Sequence, residues 1–380
     1  MSPDKRMILL NPGPANTSDA VKRAMTAPDI CPREREFGDV LLRVRDGLTR
    51  VVHAHDRYTT VLFGGSGTAA VEAAIASVVP QDGRLLVIDN GAYGTRMAEI
   101  AAAYGMAHDV EHFGVGGYPD VDRIHDQLRT HRLHRTRYTH LAVVHHETST
   151  GMLNPVEQLA TICKTQGVEM IVDAMSSYAG MPIDVEALGI DYLAASSNKC
   201  IQGMAGLGFV VCNRRKLDAL RRVPGRSYYL SLADQHRFLD KTGQMQFTPP
   251  VQIVYALDQA LREFEAEGGA TARWARYQRN FEALDSGMRG LGFRRLLPEA
   301  ILSRILTAYV EPDHPNYSFE AMHDRLYANG FTIYPGKGAQ RDTFRLANMG
   351  AVDESDMRNF VEAMRETLQA LHVHPLYASE

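Results

Sequence analysis

The residue pattern predicts an α/β fold: a mostly parallel sheet covered on both faces, followed by a smaller α+β unit. Three observations carry this expectation. Short apolar runs alternate with helix-period stretches through the first two thirds of the chain. Their length and turn-residue punctuation mark them as buried strands, and strands alternating with helices lead to parallel pairing through crossovers. A chain of 380 residues with 45% hydrophobic content can bury the sizeable core such a sheet needs.

Taken in order, strands are expected at 59–63, 85–89, 141–145, 170–173, 192–195 and 208–212, the last ending near Asn213 and running antiparallel. Helical spacing between them covers 69–79, 96–104 and 156–165. A long helix is expected over 251–267, with Ile253, Leu257, Ala260, Leu261 and Phe264 on one face and Gly268-Gly269 as its stop. Two further helices, 272–291 and 357–371, flank strands at 305–309 and 343–347. The pattern divides into an N-terminal segment (1–20), a large α/β domain (21–265) and a small C-terminal α+β domain (266–380), with no repeat or low-complexity stretch.

The formal charge of −4, from 41 basic and 45 acidic residues, offers no electrostatic reason to expect nucleic acid or an anionic membrane surface as partner. Small-molecule partners are favoured. Cys31, Cys163, Cys200 and Cys212 show no CxxC spacing and read as reduced thiols. The apolar run before Asn11-Pro-Gly-Pro is too short for a secretory leader, and no stretch of about 18 apolar residues occurs. A cytoplasmic protein is expected.

Chemistry concentrates at the strand ends. Gly64-Gly-Ser-Gly-Thr joins a strand to a helix and leaves backbone N–H groups, with the hydroxyls of Ser66 and Thr68, at a helix N-terminus suited to phosphate. A simple helix cap beside tight-turn glycines explains it equally. The segment lacks the Lys-Ser/Thr ending of a P-loop and the GxGxxG of a dinucleotide turn. Asn90-Gly-Ala-Tyr-Gly offers Tyr93 from a strand-end loop, either as a stacking face or as packing. His145-His-Glu-Thr-Ser-Thr-Gly could supply the Thr148 hydroxyl. Its His145, His146 and Glu147 do not make a metal site, because adjacent strand residues point to opposite faces and no second ligand set supports them.

Asp173 ends an apolar run and Lys199 follows 26 residues later in Ser196-Ser-Asn-Lys-Cys-Ile-Gln-Gly. Alone, each has a plain reading, a helix cap for the aspartate and a solvated lysine for the other. Together, at successive strand ends, they suggest a pyridoxal phosphate site. A lysine forms a Schiff base with the aldehyde, and a carboxylate keeps the pyridine nitrogen protonated.

The ordered set Asn11-Pro-Gly-Pro, Gly64-Gly-Ser-Gly-Thr, Asn90-Gly-Ala-Tyr-Gly, Glu147-Thr-Ser-Thr-Gly, Asp173-Ala-Met-Ser-Ser, Ser196-Ser-Asn-Lys-Cys-Ile-Gln-Gly and Phe344-Arg-Leu-Ala-Asn-Met-Gly resembles the class V aminotransferases of pyridoxal phosphate fold type I across 7–372. The resemblance implies a seven-stranded sheet, pyridoxal 5′-phosphate as cofactor, Lys199 as its covalent anchor and Asp173 at its pyridine nitrogen. It further implies Tyr93 stacked on the ring, Thr148 at the phenolic oxygen, Asn198 beside the lysine, and Ser66, Gly67 and Thr68 around the phosphate. Thr248 would reach the cofactor of the other subunit, making a homodimer. Arg345 would hold the substrate anion, with Lys337 or Arg33 as helpers. The branch most resembled transfers the amino group of 2-aminoethylphosphonate to pyruvate. Phosphonoalanine, or alanine or serine with glyoxylate or pyruvate, are alternative substrates, and a non-catalytic cofactor-binding regulator is an alternative of another class. A cysteine desulfurase is disfavoured, because the cysteines beyond Lys199 are its neighbour Cys200 and Cys212 in an apolar strand.

Overall fold

The apolar runs assemble, in a computed structural model describing residues 7–133, 137–336, 338–339, 341–374 and 376–377, into one seven-stranded sheet among the described residues. Its strands are β1 (Tyr58–Gly64), β2 (Leu85–Asp89), β3 (His108–His112), β4 (His140–Val144), β5 (Glu169–Asp173), β6 (Tyr192–Ser196) and β7 (Leu207–Asn213). They lie in the order β1-β7-β6-β5-β4-β2-β3. Side chains alternate between faces, and both faces are apolar. Leu86, Ile88, Leu141, Val143, Met170 and Val172 enter one core cluster, while Leu85, Val87, Ala142, Val144 and Ile171 enter the other. Neither face can be left to water, so helices cover both, as crossover connections between parallel strands require. From β3 through β6 every pairing is parallel, and β7 runs antiparallel to both neighbours, as expected for the last strand.

Two sequence expectations need correction. The strand β3 was not foreseen, because His108-Asp-Val-Glu-His has no apolar run. It is an edge strand paired only with β2, and one pairing side plus a half-buried face suffices to hold it. The helix expected from 96 begins four residues earlier. Among the helices are α1 (Gly67–Val78), α2 (Ala92–Ala103), α3 (Val156–Gln166), α4 (Val251–Glu267), α5 (Gly269–Gly290) and α6 (Glu354–Ala370). Tyr93 therefore sits in the first turn of α2 rather than in a loop. One local and one remote carboxylate make that early start possible: Asp89 accepts from the Gly91 amide at 3.3 Å, and Glu147 from the Tyr93 amide at 3.1 Å.

Helix α4 has the expected bounds and stops at Gly268, whose φ of 104° a glycine adopts without strain. Beyond it, β8 (Leu306–Val310), β9 (Tyr334–Pro335) and β10 (Thr343–Ala347) form a second sheet with β10 in the middle, and its Phe344 and Leu346 share a core cluster with Phe360 and Met364 of α6. The N-terminal segment ties the two sheets together. Ile8–Leu9 pairs with Phe331–Thr332, the Ala347 amide donates to the Leu10 carbonyl at 2.8 Å, and the Ala15 amide donates to the Asn198 carbonyl at 3.0 Å. Among the described residues no helix is long and apolar enough to cross a membrane.

Candidate active site

Parallel strands share one carboxyl-terminal edge, where open α/β sheets place their ligands. At that edge β1 leads into Ser66, β2 into Tyr93, β4 into Thr148 and β6 into Lys199, while β5 ends on Asp173. A cavity of about 430 Å³ opens there, lined by Ser66, Gly67, Thr68, Tyr93, Asn198 and Lys199 together with Arg96 and Met175. Six of the residues singled out in the sequence thus meet in one space.

The start of α1 is built for an anion. Its N-cap residue Ser66 makes no side-chain capping bond, and while the Ala69 amide donates to the Ser66 carbonyl at 3.0 Å, the Gly67 and Thr68 amides ahead of it keep their donors for another acceptor. Gly208 on β7 lets this helix start lie so close to the sheet. A Cβ at Gly208 would stand 2.6 Å from the Ser66 carbonyl oxygen and 3.1 Å from the Ala70 Cβ.

Lys199 is partly buried and its Nζ donates to the Pro12 carbonyl at 2.6 Å. Gly13, at a φ of +131°, makes room for it, since a Cβ there would lie 2.6 Å from the lysine Cδ. Burial brings the Lys199 amine down to about 8, with Arg345 and Arg96 pushing the same way and Asp173 opposing. Asp173 is 5% exposed and burial lifts its carboxyl to about 6, against the Met175 amide that donates to Oδ1 at 2.9 Å. Asn198 accepts from the Ser196 hydroxyl at 2.9 Å.

Arg345 occupies the middle strand of the second sheet and is buried. Nε donates to the Pro335 carbonyl at 3.0 Å and Nη1 to the Thr148 carbonyl at 3.2 Å. Among the described residues it makes no ion pair, and burial lowers its pKa by disfavouring the charged form. An unneutralised buried guanidinium is a receptor for an anion. Thr148 is buried, and it is the carbonyl that meets Arg345. Glu147 is fully buried and takes the Tyr93 amide on one oxygen and the Ser149 amide and hydroxyl on the other. Among the described residues no three His, Cys, Asp or Glu side chains gather as a metal site.

The remaining expected residues lie apart from the cavity lining. Thr248 is exposed. Arg33 donates to the Gln244 side chain and to the Met245 and Gln246 carbonyls, holding the segment that leads to Thr248. Lys337 lies outside the described residues. Sequence reasoning missed Arg96, Glu147 as the cap of α2 and the Pro12 carbonyl. The four-residue spacing within Ala92–Ala103 could have placed Arg96 one turn after the cup-side face; nothing local announces the other two.

The class-V aminotransferase model matches residues 23–322. The chain belongs to the class-V aminotransferase family. Among curated members, this class-V aminotransferase is 44% identical to a 2-aminoethylphosphonate--pyruvate transaminase of Syntrophobacter fumaroxidans over 96% of this chain and 97% of that one. It is 42% identical to the enzyme of the same name from Salmonella dublin, over 96% and 98%. Its fold is that of the alanine--glyoxylate aminotransferase of Nostoc sp., with a TM-score of 0.88 and 26% identity over 97% of each chain. It also superposes on an aspartate aminotransferase of Thermus thermophilus, with a TM-score of 0.85 and 26% identity, covering 96% of this chain and 99% of that one. The cofactor of this class-V aminotransferase is pyridoxal phosphate. The cavity fits it, with an uncapped helix start for the phosphate, a desolvated amine for the aldehyde, and a buried carboxylate that makes no ion pair among the described residues.

Proposed function

We propose that this aminotransferase moves the amino group of 2-aminoethylphosphonate to pyruvate, giving phosphonoacetaldehyde and L-alanine. The observation that carries this reading is the 42–44% identity, over nearly the full length, to enzymes named for that reaction. Arg345 supports it. Neither substrate needs an arginine-carboxylate pair elsewhere, because one buried guanidinium at the cavity's edge serves the phosphonate in one half-reaction and the carboxylate in the other.

Bound pyridoxal phosphate supplies an electron sink that stabilises a carbanion beside the transferred nitrogen. Lys199 anchors it and, once released, carries a proton at Nζ to and from the substrate carbon. With its amine held near pH 8, Lys199 reaches its neutral form at modest cost. The Pro12 carbonyl accepts a hydrogen bond from Nζ and orients the free amine. Asp173 holds the proton of the pyridine nitrogen, Tyr93 covers the ring, and Thr148 and Asn198 flank it. Ser66, Gly67 and Thr68 bind the phosphate.

The working unit is a homodimer in which Thr248 reaches the partner's cofactor. Support comes from the rim of the cavity: Tyr229 donates to the Gly64 carbonyl at 3.2 Å and stacks on Phe247, next to exposed Thr248, and Tyr228 beside it is 66% exposed. A division at 1–20, 21–265 and 266–380 agrees with Ile8 and Leu10 packing among small-sheet residues. The free state of Cys31, Cys163, Cys200 and Cys212 supports a cytoplasmic setting.

The test separates the half-reactions. Enzyme loaded with pyridoxal phosphate and given 2-aminoethylphosphonate alone should release about one phosphonoacetaldehyde per site and stop, and pyruvate added afterwards should yield a matching amount of alanine. A burst with alanine or serine as donor and none with 2-aminoethylphosphonate would assign the chain another amine.

A further inference from the structure

Arg96 stands over the phosphate end of the cavity without an assigned part in the reaction. Its guanidinium carbon lies 4.8 Å from the centre of the Tyr93 ring, and Nη1 donates to the Thr68 hydroxyl at 3.3 Å. The side chain lines the same cavity as Ser66, Gly67 and Lys199, and among the described residues it makes no ion pair. One guanidinium therefore touches both the cup and the aromatic plate.

Charge balance gives this placement a purpose. A phosphate monoester carries close to two negative charges near neutral pH. The amides and dipole at the start of α1 contribute only about half a positive charge. Lys199 is taken by the aldehyde end, and Arg345 lies toward Thr148, on the substrate side. Arg96 is the full positive charge left at the cup. Its field is felt at both chemical groups, since it disfavours the protonated amine of Lys199 and favours the ionised carboxyl of Asp173.

We propose that Arg96 is the counter-charge of the cofactor phosphate. This inference rests on the proposal that the cavity holds pyridoxal phosphate. The competing role is structural, an arginine lying on a tyrosine to stiffen the first turns of α2. That role predicts that losing Arg96 weakens the cofactor forms with and without a phosphate alike.

Apoprotein of the parent, Arg96→Gln and Arg96→Lys is titrated with pyridoxal 5′-phosphate and, separately, with pyridoxal, with binding read by tyrosine and tryptophan fluorescence and folding checked by circular dichroism. Arg96→Gln should weaken pyridoxal phosphate about 10- to 100-fold, the range expected for losing a charged hydrogen-bond partner. Its affinity for pyridoxal should change by less than about threefold, because a phosphate-free ligand loses no charged partner. Arg96→Lys, which keeps the charge, should recover part of the phosphate preference. Equal losses for the two ligands, or no loss for either, would overturn the counter-charge. A parent protein that binds neither ligand would instead sink the cofactor reading on which it stands. If Arg96→Gln does not fold, Arg96→Met is titrated with the same two ligands: a loss confined to the phosphate form supports the counter-charge, and equal losses refute it.

Discussion

Asp173 shows how a single residue records the missing half of a pair. Its carboxyl titrates near 6, not at the ordinary 3.8, because burial disfavours the charged form more than the Met175 amide favours it. Between those two values the folded apoprotein holds a proton that the unfolded chain has released. Stability from this group is therefore lost as pH rises from about 4 to about 6 and stays lost above. Asp173→Asn keeps an acceptor for Met175 and removes the charge. The apo variant should be more stable than the apo parent at pH 7, by up to about 3 kcal/mol, with the gap closing toward pH 4. Urea unfolding at the two pH values checks this, and a gap independent of pH would show that the carboxylate is not the strained group. The pair was legible from residue type and strand-end position, and so was the downward shift of the Lys199 amine, whereas the upward shift of Asp173 needed the burial.

At the scale of elements, the site depends on how closely α1 can approach β7. Gly208 is one atom away from preventing it, since a methyl group would meet the Ser66 carbonyl, which belongs to the backbone and cannot swing aside. Gly208→Ala should push the helix start outward. The expected outcome is a loss of stability of about 1–3 kcal/mol with a fall in pyridoxal phosphate affinity of about tenfold. Equilibrium unfolding and a fluorescence titration report the two separately, and unchanged affinity would mean that the cup tolerates displacement. The helix α2 illustrates the complementary lesson. Residues 96–104 have helical spacing that can be read locally, but its first turn is held by Glu147, which lies across the sheet edge. Strand β3 escaped notice for a related reason, because an edge strand with one neighbour needs little apolar surface.

For the whole molecule the question is whether one chain makes a site. Thr248 is exposed and does not line the cavity that holds Lys199, and the proposed homodimer would bring the Thr248 of a second copy to it. A mixture of Thr248→Ala and Lys199→Ala proteins tests this. Lys199→Ala should be inactive alone, and Thr248→Ala should bind the cofactor about tenfold more weakly, as expected for one lost phosphate hydrogen bond. After mixed refolding, the hybrid has one site with native lysine and native threonine, so tight cofactor binding and turnover should return in part. Mixtures no better than Thr248→Ala alone would place Thr248 in its own protomer's site or outside any site.

Local chemistry by itself determined the strands β1, β2 and β4 to β7, the antiparallel sense of β7, the bounds of α4 with its stop at Gly268, and the family to which Lys199 and Asp173 point. Apolar periodicity, turn residues and short motifs act over a few residues, so they can be read without knowing the neighbours. Tertiary structure alone decided that Glu147 caps α2 across a separation of 54 residues and that Pro12 receives the amine of Lys199 across 187. It also brought Arg96 over the phosphate cup and left Arg345 buried with no ion pair among the described residues. These contacts depend on strand order and on how closely the two sheets and the N-terminal segment approach, which sequence spacing does not encode.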